Sequence, residues 1–356
     1  MKPRKSSAKL GGRSEFDFIE SLRQRASSTD SSLATRHSSL VKGIGDDAAA
    51  FTQQAGRETL ITTDLLVEDV DFRLSTTTPR ALGHKALAVS LSDIAAMGAR
   101  PLWALVSLGV PSQVWESNFL EQFYEGFFAL ADAHGVALIG GDLSRTPRHV
   151  FIDSVVLGDA ATGRAVMRAG ARAGDQIFVT GALGGAAAGL RLLEAGARPA
   201  RTPPKSPRTQ AREQLLLRQL CPMPRVAWGR LLGERRLATA SIDLSDGLSS
   251  DLAHLCRASG VGAEVEAALL PLDPALARTG LSAQEALSLA LDGGEDFELL
   301  FTVRPRDASK LPAEVEGVAV TRIGEVTAEA EKMSLLVDGR AEPLRPGGFE
   351  HFRRSG

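Results

Sequence analysis

Two stretches in the first part of the chain bring carboxylates together: "GIGDDAAAF", Gly43 to Phe51, and "TTDLLVEDVDF", Thr62 to Phe72. Adjacent acids such as Asp46 and Asp47 repel each other, so a ligand of opposite charge has to reward their proximity. Further acids stand beside glycines or at the ends of expected strands: Asp64, Asp142 in "LIGGD", and Asp243 with Asp246 in "SIDLSDGLSSDL". A hard dication carrying phosphate oxygens suits such a set, because magnesium takes a few carboxylates and keeps waters besides. Each acid alone reads equally well as a turn or cap residue, since a short carboxylate bonds the local backbone. Asp246, just before Gly247, could be a helix N-cap in this way. The recurrence of acid clusters is what favours metal and phosphate.

Asp93 carries more weight because it sits in "ALAVSLSDIAAMGA", a helical stretch with apolar residues on nearly every side. Such a helix is normally buried, and a buried carboxylate is costly unless it is paired or bound to metal. The competing readings are an ion pair with an arginine such as Arg100 and a cap for a neighbouring turn. Ser245, between Asp243 and Asp246, adds a hydroxyl suited to a phosphate. The chain contains no GxxxxGK[ST] loop, and "GALGGAAAGL" lacks the lysine, which excludes a Walker-type phosphate site. The protein-kinase HRD and DFG combination is also missing, and no histidine lies in the glycine and acid motifs. Phosphoryl transfer on this chain would therefore rely on metal ions and positioning.

The elements that must position these residues alternate between helix and strand. "TLITTD" reads as a strand ending in an acidic turn, and Pro79 to Gly98 as a helix opened by proline and closed by glycine. "LWALVSLGVP" is a strand, a Phe-rich helix covers about 114–134, "VALIGG" is a short buried strand, and "VFIDSVVLGDA" is another. A second series follows, from "DQIFVTG" to "GVAVTRIGEV", with the small-residue turn "GALGGAAAGL" after its first strand. The expected organisation is a tail over 1–13, one domain over 14–160 and a second over 161–356. Within the second, 197–214 is expected to be a basic, proline-rich surface loop. The fold class is α/β or α+β in two domains.

Composition limits the partners. Of 356 residues, 44% are apolar and 24% charged, which is globular composition with a sizeable core. Lys and Arg total 41 against 43 Asp and Glu, so nothing favours nucleic acid. No apolar run is long enough for a membrane span, and the basic start "MKPRKSSAKLGGRS" has no apolar segment behind it to make a signal peptide. Two isolated cysteines, Cys221 and Cys256, fit buried thiols in a reducing compartment, and a cytoplasmic location is expected.

With these motifs assembled, the chain resembles the thiamine-monophosphate kinase family, within the superfamily of ATP-binding proteins related to aminoimidazole ribonucleotide synthetase. "GIGDDAA", "TTDLLVEDVDF", "ALAVSLSDIAAMGARP", "LIGGD", "MRAGARAGDQIFVTGALG", "IDLSDGLSSDL", "GGEDFELLFT", "IGEV" and "GGFEHF" follow the family's order from Ser14 to Phe352. The resemblance implies a homodimer joined through the amino-terminal domain's sheet, with ATP and Mg²⁺ between the domains. It implies phosphorylation of thiamine monophosphate to thiamine diphosphate. Asp46, Thr62, Thr63, Asp64, Asp93, Asp142, Asp243 and Asp246 then fall near metal, with Asp46, Asp64, Asp243 and Asp246 central to catalysis. Tyr124, Gly141, Asp142, Arg168 and Ser245 match nucleotide positions, and Glu295 and Phe349 match the thiamine site. Asp71 stands where the family commonly has a substrate-contacting histidine, and Phe349 where Trp or Tyr is frequent. Selenophosphate synthetase and the hydrogenase-maturation dehydratase are sister alternatives, but their characteristic cysteines are missing here. A non-catalytic nucleotide-binding protein is the alternative from another class.

Overall fold

The structure is a computed structural model that describes residues 15–27, 39–44, 48–200 and 202–351. The expected tail at 1–13, Ser14, the acids Asp46 and Asp47 and the closing Phe352 lie outside the described residues.

The first half runs α1 (Glu15–Ser27), β1 (Leu40–Lys42), β2 (Ala50–Phe51), β3 (Arg57–Val67), α2 (Pro79–Ala96), β4 (Arg100–Val110), α3 (Ser112–Trp115), α4 (Phe119–His134), β5 (Ala137–Arg145) and β6 (Phe151–Ala161). Local chemistry sets the limits of α2. Thr78 accepts a hydrogen bond from the Ala81 N–H at 3.1 Å, Pro79 supplies a preset φ in the first turn, and Gly98 leaves the helix at φ 68°. Almost every side chain of α2 is buried, as its apolar circumference requires. It packs unusually close to α4 because Gly83 and Gly126 face the other helix's backbone. A Cβ at either would come within 1.8 Å of a carbonyl oxygen, of Phe123 and Arg80 respectively.

Strands β3, β6, β4 and β5 form one sheet in that order, antiparallel except for the β4–β5 pair. One face packs on α2 in a core that includes Leu60, Leu66, Val106 and Ile152. The other leaves Ile61, Leu65 and Phe151 exposed.

The second half adds β7 (Gln176–Thr180), α5 (Gly185–Glu194), α6 (Pro207–Leu220), α7 (Val226–Arg235), β8 (Ala238–Asp243), α8 (Leu248–Ser259), β9 (Gly262–Glu266), α9 (Ala283–Asp292), β10 (Leu299–Val303), α10 (Pro305–Ala308), β11 (Glu314–Val315), β12 (Val318–Thr327), β13 (Met333–Val337) and β14 (Arg340–Pro343). Its sheet has the order β14-β13-β9-β12-β7-β10-β8, with β11 paired to β12, and only β13 and β9 run parallel. Trp228 of α7 and Phe178 and Phe301 of this sheet join the core around α2, so that helix is packed by both halves.

Five expectations change. The strand around "TTD" continues past Asp64 to Val67, and the one after His134 runs through Asp142 to Arg145, so both acids lie within strands. Alternate residues of a strand face opposite ways, and polar residues on one face do not end it. The Phe-rich stretch divides into α3 and α4 at Glu116 to Asn118. "GGAAAGL" opens α5, because Gly184 at φ 80° takes the left-handed turn before it. Residues 207–214, expected in a surface loop, belong to α6. Ser206 and Thr209 form a capping box and Pro207 fills the first turn, so "SPRT" starts a helix.

Candidate active site

Three polar residues on the buried helix α2 reach polar side chains of two other elements. Ser90 donates to Asp64 on β3 at 2.6 Å, and Ser92 donates to Asp243 at the end of β8 at 2.7 Å. Asp93 accepts from the Thr62 hydroxyl on β3. Asp93 has no ion pair with Arg100, which instead joins Arg57 around Asp159. Thr62 and Asp64 are two apart on β3 and so share the face turned to α2. Thr63 faces the other way, its hydroxyl donating to Asp153 of β6 at 2.7 Å.

Burial and mutual repulsion act on this layer of acids. Burial first, and then Asp93, push the Asp64 carboxyl up to about 6. Burial followed by Asp93 raises Asp243 to about 7, against the Ser92 hydrogen bond. Asp93 is itself raised by burial, while Thr62 and the positive Arg168 pull it down. Asp246 is raised by burial and opposed by His254, His351 and Arg168. Arg168 is thus close enough to favour the charged form of both Asp93 and Asp246. Such a set holds negative charge that only a cation or protons can relieve.

On one side of the layer is a cleft of about 390 Å³ lined by Asp64, Asp71, Lys85, Ser245, Asp246, Glu295 and Phe349, among others. Asp71 spends one oxygen on the Val67 N–H at 2.8 Å, and its other lies 4.0 Å from His351 Nε2. Phe349 is held over the cleft by its N–H, which donates to the Asp246 carbonyl at 3.1 Å, and its ring meets His351 edge-on. Gly347 and Gly348 donate to the Ser249 and Ser250 hydroxyls of α8, which docks the closing segment.

A second cavity, of about 520 Å³, is lined by Tyr124, Gly140, Gly141, Asp142, Gly43, Ile44 and Ala48, with side chains of α1. Burial pushes the Tyr124 phenol up, so it stays a hydroxyl. Gly141 has φ 152°, and a Cβ there would meet the Val106 carbonyl at 2.0 Å. Strand register sets Asp142 opposite Ser107, and Ser107 opposite Asp153, so Asp142 shares the sheet face of Thr63. The sheet therefore divides the expected metal residues. Thr62, Asp64, Asp93, Asp243 and Asp246 gather with α2, whereas Thr63 and Asp142 stand on the open face. Asp46 lies outside the described residues.

Among the described residues, no three acids, histidines or cysteines converge as placed at a range that holds an ion. The donors nonetheless fit Mg²⁺, which takes one or two carboxylates and fills its shell with waters and substrate phosphates.

Sequence reasoning passed over several residues here. Lys85 is 5% exposed and lines the first cleft, and the buried-charge argument that found Asp93 on the same helix applies to it equally. Ser90 and Ser92 carried no charge to draw notice. Asp251 accepts the N–H groups of Asp246 and Gly247 at 3.1 and 3.0 Å and so fixes the turn that presents Asp246. Burial, then Asp243 and Asp246, raise its carboxyl to about 8. In "GGEDFELLF", Asp296 caps α5 through the Gly184 and Ala186 N–H groups, and Glu298 binds Arg218 and Arg225. Of these three acids only Glu295 lines the cleft.

Comparison with known proteins agrees along the chain. Residues 45–160 match the AIR synthase related protein, N-terminal domain, and 172–335 match its C-terminal domain. Thiamine-monophosphate kinase of Escherichia coli strain K12 is 40% identical over 312 residues, 87% of this chain and 91% of that protein. The Bacillus subtilis strain 168 enzyme of the same name is 37% identical over 342 residues, 95% of this chain and 99% of its own. The crystal structure of thiamine-monophosphate kinase from Stenotrophomonas maltophilia K279a superposes with a TM-score of 0.78 at 40% identity, covering 92% of this chain and 98% of that one. AaThiL complexed with AMPPCP and TMP gives 0.71 at 32% identity, covering 98% and 100%. The chain belongs to the AIR synthase related protein family and, within it, to the thiamine-monophosphate kinases.

Proposed function

We infer that this protein transfers the terminal phosphoryl group of ATP to thiamine monophosphate, giving thiamine diphosphate. The observation that carries this reading is the acid layer of Asp64, Asp93, Asp243 and Asp246, with one cleft at its Asp64 and Asp246 end lined by Glu295 and Phe349. The cavity beside Tyr124 and Gly141 suits the nucleotide. AaThiL, a relative with the same fold, was solved with an ATP analogue and TMP together.

Mg²⁺ bound by Thr62, Asp64, Asp93, Asp243 and Asp246, with Thr63 and Asp142 on the nucleotide side, would neutralise the phosphates and polarise the transferred group. The chain's own residues do the rest by positioning. Glu295 and Phe349 orient the thiamine moiety, Ser245 offers its hydroxyl to a phosphate, and Arg168 tempers the charge of Asp93 and Asp246. The attacking phosphate oxygen is anionic at neutral pH, so no base has to remove a proton. Transfer is direct, since the acceptor phosphate is itself the nucleophile and needs no group on the protein to carry the phosphoryl between the substrates.

The exposed Ile61, Leu65 and Phe151 on the open sheet face support a homodimer joined there. A division into domains near residue 160 accords with the two family matches. Free Cys221 and Cys256 suit a cytoplasmic setting, and among the described residues no helix is long and apolar enough to cross a membrane.

Incubation of purified protein with Mg-ATP and thiamine monophosphate, followed by chromatography, should yield ADP and thiamine diphosphate in equal amounts. EDTA should abolish both. ATP binding without turnover on this acceptor would overturn the reading.

A further inference from the structure

Three costly features meet at one carboxylate. Lys85 is buried in an apolar helix, and its Nζ lies 2.5 Å from Glu295 Oε1. Gln219 of α6, also 5% exposed, gives its Nε2 to the other oxygen of Glu295. Because a carboxylate only accepts, this bond settles which end of the amide is which. Gln219 Oε1 is then left buried with no hydrogen-bond partner. Finally, Glu295 adopts φ 69°, a left-handed conformation that a non-glycine residue rarely takes, and its N–H is tied to the Ser245 carbonyl at 2.8 Å.

A buried ammonium, an orphaned amide oxygen and a strained backbone each oppose folding, and they persist where a function rewards them. Here all three hold one side chain. A carboxylate has about four lone-pair sites, and Lys85 and Gln219 take two of them, leaving the others for a donor in the cleft. Arg73, the other strong cation lining this cleft, is already paired with Glu194 at 3.2 Å.

We propose that Lys85 and Gln219 are positioning residues that hold the Glu295 side chain pre-aimed at the amino-bearing organic half of the acceptor, so that Lys85 governs acceptor affinity. The proposal rests on the assignment of this cleft to thiamine monophosphate. Loss of either clamp residue costs binding of the acceptor, whereas ATP, held elsewhere, is bound as before.

The test is steady-state kinetics of Lys85→Met, Lys85→Arg, Gln219→Met, Glu295→Gln and the Lys85→Met/Glu295→Gln double variant, with each substrate varied in turn. Lys85→Met should raise KM for thiamine monophosphate ~10- to 100-fold, the scale of a lost hydrogen bond to a charged group. KM for ATP should stay within about twofold and kcat should fall far less than acceptor affinity. Lys85→Arg should recover part of the loss, Gln219→Met should show a smaller rise, and the double variant should be no worse than Glu295→Gln alone. A fall in kcat with unchanged acceptor KM, or additive losses in the double variant, would overturn the proposal. If Lys85→Met does not fold, Gln219→Met decides by the same split: a raised acceptor KM supports positioning, and an unchanged one overturns it. Wild-type protein with no turnover on thiamine monophosphate would sink the functional reading instead, before any variant is compared.

Discussion

The Ser92 hydroxyl donates to the Asp243 carboxylate at 2.7 Å, joining α2 of the first half to β8 of the second across 151 positions of sequence. It is a neutral side chain set against the burial and repulsion that lift Asp243 to about 7. Ser92→Ala removes that support, so Asp243 needs a higher pH to ionise. At limiting Mg²⁺, where the ion competes with a proton for Asp243, turnover should fall by roughly 10-fold near pH 6.5, the worth of a hydrogen bond to a charged group, and recover towards pH 8.5. A pH–rate profile checks this, and an acid limb that does not move would refute it.

The raised acids also fix how the metal-free protein responds to pH. Asp64, Asp243 and Asp251 stand at about 6, 7 and 8 when folded, above the ordinary 3.8 for aspartate. Between those values the folded chain binds more protons than the unfolded chain, so stability rises as pH falls. Below about pH 6.5 the effect is opposed, because burial holds His84 and His134 neutral and both must be protonated on unfolding. In EDTA, the melting temperature should therefore climb from about pH 8.5 to about pH 6.5. Added Mg²⁺ should stabilise the protein most at the alkaline end. Differential scanning calorimetry with and without the ion would show both trends or neither.

Glu298 anchors the loop that carries Glu295. It is fully buried, and although burial opposes its charge, Arg225 and Arg218 together hold its carboxyl below the usual range. Arg225 donates to both its oxygens at 2.5 Å, Arg218 at 3.0 Å and Thr180 at 2.7 Å. Removing one partner from a buried pair strands the other, so Glu298→Ala should cost ~3–5 kcal/mol of stability. Urea denaturation measures it, and a loss within experimental error would mean that the arginines find other partners.

Phe349 is 52% exposed over the first cleft and packs only against His351 among the aromatic rings described. Its truncation should therefore leave the core intact. Phe349→Ala should raise KM for thiamine monophosphate several-fold, since an aromatic contact is worth ~0.5–1.5 kcal/mol, with KM for ATP unchanged. Equal losses for both substrates, with circular dichroism intact, would remove this residue from the acceptor site.

Much of this architecture was written locally. Thr78, Pro79 and Gly98 mark the limits of α2 through capping, a preset φ and a left-handed exit, all readable within a few residues. The acids of the site stood out because their charge conflicts with apolar or glycine-rich surroundings. The capping box at Ser206 was equally local but was masked by the prolines around it. Which acids act together was another matter. Thr62 and Thr63 are neighbours in sequence, yet β-strand alternation sends one to Asp93 and the other to Asp153. Lys85 meets Glu295, and Ser92 meets Asp243, only because α2 is packed between the two sheets. Residue type decides what a side chain can bind. Strand register and helix packing over long separations decide what it is given to bind.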